Sequence, residues 1–143
     1  MKNFPKMRRG AVLLSAICLL AVVALAGCKG SESAENKVRD LDFTVVGTNE
    51  VPQELMDIIG QKKAESFRLT YSSGEDLYIA AGYGEQKTGG YSISIPELYL
   101  TDNSICIKTE LKGPEKGETT GPEVSYPFIV IKTAFLEEPV VFK

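Results

Sequence analysis

Residues 77–95 read LYIAAGYGEQKTGGYSISI, and the fold turns on how that stretch divides. Leu77–Tyr83 is apolar almost without interruption, and a run this short fits a strand covered on both faces better than one with a wet side. Gly82–Tyr91 then places four glycines in ten residues, a composition suited to sharp turns. After it, Tyr91, Ile93 and Ile95 alternate with Ser92 and Ser94, the period of a strand whose serine face meets water.

Upstream, Phe67, Leu69 and Tyr71 alternate with polar residues and lead through a turn at Ser73 and Gly74 into the buried strand. Residues 52–63 predict the single helix: Pro52 suits a helix start, Leu55, Ile58 and Ile59 share a face, and Gly60 with the lysines marks the fraying end. Before it, Leu41, Phe43 and Val45 predict a strand interrupted by Gly47. Downstream of Pro96, Leu98–Leu100 and a turn at Asp102 and Asn103 precede a strand with Ile105, Ile107 and Leu111 toward the core and Cys106, Lys108 and Glu110 opposite. Gly113–Val124 has no apolar pattern and reads as an exposed loop. Tyr126–Ile131, with Pro127 near its start, and Val140–Phe142 complete the pattern. The expected class is α+β: mainly antiparallel β-sheet, curled on one short helix or folded as a small sandwich, spanning residues 41–143.

The N-terminal quarter has a different chemistry. Lys2, Lys6, Arg8 and Arg9 precede the apolar run Ala11–Gly27, which ends in Leu25, Ala26, Gly27 and Cys28. A basic start, an apolar run and small residues before a cysteine are the pattern of a lipoprotein signal peptide over residues 1–27, with the Cys28 thiol carrying a diacylglyceryl group. The expected location is therefore extracytoplasmic, on the cell-envelope membrane. Residues 28–40, polar and small, then form a flexible tether. Loss of the leader leaves 12 basic against 19 acidic residues, a net −7. Such a charge disfavours nucleic acid and a flat lie on anionic lipid. Cys106 stands alone in the mature domain and is expected as a small buried side chain.

Catalysis finds little to work with. The chain has no histidine, which removes the commonest general base and the commonest metal ligand together. Glu85, Glu97, Glu110, Glu115 and Glu118 fall in turns or on a polar strand face with nothing to mark an acid–base pair. Asp102, Asn103 and Ser104 are too brief a run for calcium. No enzyme activity, cofactor or metal is expected. Lys87, Thr88, Gly89, Gly90 and Tyr91 stand out instead as a partner-binding loop, the alternative being a tight hairpin with no other duty.

Three stretches, Leu77–Ile95, Thr109–Thr119 (TELKGPEKGET) and Tyr126–Lys132 (YPFIVIK), make this chain similar to the PrcB C-terminal domain family. The resemblance implies a non-catalytic subunit that helps assemble or stabilise a secreted protease at the cell surface. The partners expected are thus the membrane, through Cys28, and a protease or another envelope protein. A loop-presenting protease inhibitor is the alternative, and a ligand or glycan binder using Tyr71, Tyr78, Tyr83, Tyr91 and Tyr99 is a third.

Overall fold

The computed structural model describes residues 36–143. The expected leader motif Leu25–Gly27, the expected lipidation position Cys28 and the first part of the expected tether lie outside the described residues. Eight strands and one helix follow in the order β1 (Lys37–Asp40), β2 (Thr44–Val45), α1 (Gln53–Lys62), β3 (Ser66–Ser73), β4 (Asp76–Tyr83), β5 (Ser92–Thr101), β6 (Ile105–Lys112), β7 (Phe128–Ala134) and β8 (Val140–Phe142). They make two four-stranded sheets, β1-β5-β6-β8 and β2-β7-β4-β3, antiparallel except for the β6–β8 pair. Among the described residues the fold is mainly β with one short helix.

Strand β4 explains the layering. It lies between β3 and β7, and its six central residues are buried. Because side chains alternate, Leu77 and Ile79 enter one cluster with Leu98, Ile105, Ile107 and Ile131, which is the space between the sheets. Tyr78 and Ala80 enter another with Phe67, Val130 and the helix residues Leu55 and Ile59. The two expected arrangements therefore coexist: a sandwich, with α1 packed on the outer face of the second sheet.

Several boundaries differ from the pattern reading. The stretch taken as tether contributes β1, whose Lys37, Arg39 and Asp40 face Thr101, Leu100 and Tyr99 of β5 across a bulge. All four residues of β1 are exposed, so main-chain pairing holds them and no apolar period could have announced them. The strand expected around Leu41, Phe43 and Val45 shrinks to two residues. Leu41 is 7% exposed, but Phe43 and Val45 are 37% and 57% exposed, because Val46 rather than Val45 packs beneath the helix.

The helix starts after Pro52 as expected and buries Leu55 and Ile59, leaving Ile58 at its rim. Pro96 does not end a strand; it sits in a bulge between Ser94 and Glu97 of continuous β5. Cys106 is buried with Ile105 and Ile107 on either side, so this half of β6 is covered on both faces and only Lys108 and Glu110 follow the expected wet face.

Candidate functional site

The glycine-rich segment is not a hairpin. β4 belongs to one sheet and β5 to the other, so residues 84–91 carry the chain across the sandwich, and residues 113–127 carry it back from β6 to β7. The two crossings lie side by side. Gln86 and Ser125 exchange main-chain hydrogen bonds, Gln86 N–H to Ser125 O at 2.8 Å and Ser125 N–H to Gln86 O at 3.0 Å. The Ser125 hydroxyl donates to Thr88 O at 2.6 Å, and the Gln86 side-chain amide donates to Tyr83 O at 3.2 Å.

Gly90 forms the second junction. Its φ is +84°, and a Cβ there would stand 3.0 Å from both Pro114 Cβ and Thr120 Cγ2. Only glycine meets both the left-handed backbone and the close approach of the neighbouring loop. The tip of that loop closes on itself: Glu118 N–H donates to Glu115 O at 3.1 Å, and Glu115 N–H donates to the Glu118 carboxylate at 3.0 Å.

Tyr126 ties the base of the site to the helix side. Its hydroxyl donates to Glu85 Oε2 at 3.0 Å, while Lys63 Nζ lies 5.2 Å from its ring centroid. The hydrogen bond to the Glu85 carboxylate, then the charge of Glu85, then a little desolvation, raise the phenol above its ordinary value, since each favours the protonated form. Behind the loops, the Tyr83 and Thr109 hydroxyls lie 2.7 Å apart. That contact joins β4 of one sheet to β6 of the other.

Of the residues expected to bind a partner, Lys87 is exposed, Gly90 is exposed, and Thr88, Gly89 and Tyr91 are half-buried. Thr88 is engaged on both sides, its hydroxyl donating to Gly89 O at 3.1 Å and its main-chain O accepting from Ser125. Tyr91 lies along Gly113, where an added Cβ would be 3.4 Å from its ring. The segment thus offers Lys87 and main chain to the outside, and commits Thr88 and Tyr91 to the loop junction.

Gln86, Ser125 and the Glu85–Tyr126 pair are parts of the site that pattern reading missed. Their contacts join positions about forty residues apart in sequence, so no local period records them. The five tyrosines do not share a face: Tyr71 and Tyr78 meet at 6.3 Å between ring centroids near the helix, Tyr83 ends β4, Tyr91 belongs to the first crossing, and Tyr99 lies on the other sheet.

Chemically, the site offers main chain, the Lys87 side chain and hydroxyls already engaged in hydrogen bonds. Neither the Thr88 nor the Ser125 hydroxyl is bonded to a base; both donate to main-chain carbonyls. Among the described residues no three of Cys, Asp and Glu converge to hold a metal ion, and no helix is long and apolar enough to cross a membrane.

Residues 77–134 match the family model described as PrcB C-terminal. No curated protein and no solved structure matches the chain. The matched span begins inside β4 and closes with β7, and so takes in the two inner strands of each sheet together with both crossings.

Proposed function

We propose, on the premise that residues 77–134 form a PrcB C-terminal domain of a protease-complex-associated family, that this chain is a surface-anchored, non-catalytic interaction lipoprotein. In this reading it is an accessory or stabilising subunit of a secreted protease or another envelope complex. Acylated Cys28 supplies the membrane attachment, and the acidic, histidine-free domain supplies the contact. The supporting observation is the bracing of the two crossings, with Gln86, Thr88 and Gly90 locked to Ser125, Pro114 and Thr120. A surface ordered before association loses less conformational entropy on binding.

The test is crosslinking of intact membranes followed by co-purification, comparing wild type with Lys87→Glu and Cys28→Ala. A reproducible protein partner, reduced by Lys87→Glu, supports the contact surface; recovery of the same partner set with Lys87→Glu refutes its placement. Labelled lipid incorporated into wild type but not into Cys28→Ala supports the anchor, and equal labelling refutes it.

The bracing also favours a second reading, a protease inhibitor that presents this loop pair to a cleft. Inhibitory loops must hold their shape before binding, and glycine-rich loops do so only when pinned. Adding the purified chain to the captured protease separates the two: slowed substrate cleavage favours inhibition, whereas a longer active lifetime at unchanged initial rate favours stabilisation.

A further inference from the structure

Strand β3 lies at the outer edge of its sheet, and its ladder with β4 runs without a shift from Ser66 opposite Tyr83 to Ser73 opposite Asp76. One hydrogen bond fixes where its main-chain groups aim. Tyr83 N–H donates to Pro127 O at 3.1 Å, so Leu77, Ile79, Ala81 and Tyr83 direct their main chain toward β7. Asp76, Tyr78, Ala80 and Gly82 then direct theirs toward Ser73, Tyr71, Leu69 and Phe67 of β3. By alternation, Ser66, Arg68, Thr70 and Ser72 turn N–H and C=O away from the sheet, and all four residues are exposed.

Edges of this kind are ordinarily blunted by proline, a bulge or an outward charge. β3 carries neither proline nor bulge. Its one charged residue, Arg68, folds inward: the guanidinium donates to Phe67 O and Gly82 O at 2.9 and 3.2 Å, and lies 5.1 and 5.6 Å from the ring centroids of Tyr83 and Phe142. The charge that could defend the edge is employed elsewhere.

We propose that β3 is the interface with a second copy of this chain, the two strands pairing antiparallel about a two-fold axis at Leu69. In that register Leu69 faces the partner's Leu69, Phe67 faces the partner's Tyr71, and Arg68 faces the partner's Thr70, so no like charges meet and the apolar stripe continues across the axis. The outward groups of the two copies make about eight main-chain hydrogen bonds.

Charge argues for a second copy over an unrelated strand. Lys62 and Lys63, with Glu65, precede β3, and Glu75 and Asp76 lie at its far end. Antiparallel pairing brings the net basic end of one copy to the acidic end of the other, twice. This pairing uses none of the loop residues assigned to the proposed client.

Sedimentation of the full chain in detergent, over a range of protein concentrations, tests the pairing. Wild type and Thr70→Ala, which keeps the outward N–H, are expected to show a monomer–dimer equilibrium, and Thr70→Pro, which removes it, to weaken dimerisation by about tenfold or more. Concentration-dependent amide-exchange protection at Ser66, Arg68, Thr70 and Ser72 in wild type gives an independent reading if the proline variant does not fold. A monomer at every concentration, unchanged association of Thr70→Pro, or exchange at these amides that ignores concentration overturns the proposal. Client capture sensitive to Lys87→Glu by a monomeric chain would overturn this pairing while leaving the proposed function standing.

Discussion

Two residues show how a position can be legible as a type while its contacts are not. Gly82 belongs to the glycine-rich segment by composition, yet it lies in β4, and a Cβ there would stand 2.1 Å from Phe67 Cε1 and 2.6 Å from Cδ1. The obstacle is the body of a packed ring. Gly82→Ala is expected to cost about 1–3 kcal/mol through overpacking, seen as a lower urea midpoint at unchanged slope. Tyr126 makes the complementary case, since its aromatic character was legible in YPFIVI but its bond to Glu85 was not. Its pKa is raised above 10.0, first by that hydrogen bond. A raised folded-state value means the contribution to stability is complete below the unfolded pKa near 10 and is lost as pH rises through the folded one. In a phenolate absorbance titration, Glu85→Gln should lower the midpoint of this tyrosine toward the ordinary value; an unaltered titration would contradict the assigned cause.

Among the elements, legibility follows how locally each is specified. The helix was readable because Pro52 opens it and Leu55 and Ile59 repeat at helical spacing, and it forms where expected. A ten-residue helix without a side-chain cap is marginal on its own, so its stability comes from the sheet beneath it. Ile59 is 1% exposed, and Ile59→Ala should cost about 2–5 kcal/mol, measurable by chemical denaturation with loss of helical ellipticity. β4 was equally readable, because burial on both faces leaves a continuous apolar run. β1 and the parallel β6–β8 pairing were not, and β2 was readable only as part of a longer strand, since each is held by main-chain bonds to a strand distant in sequence. The same reason hid the crossing: the residues of LYIAAGYGEQKTGGYSISI mark two strands and a turn, but not that the strands belong to different sheets.

For the whole molecule, the second sheet is the shared wall of both apolar clusters. Probes of the helix layer and of the sandwich should therefore report coincident unfolding transitions, and separated midpoints would show that the layers melt independently. The candidate site was legible as a place and only partly as chemistry. Lys87 and the exposed loop at 113–124 were apparent from polarity, whereas the Gln86–Ser125 lock exists only once the sandwich has closed. Closure has a consequence for wear. Everything beyond the tip at Gly117 contributes one strand to each sheet, β7 between β2 and β4, and β8 beside β6. A severed backbone at Lys116 would thus leave two interlocked pieces, the smaller one unable to depart without prising open both walls, so that damage visible on a denaturing gel would pass unnoticed in the native particle.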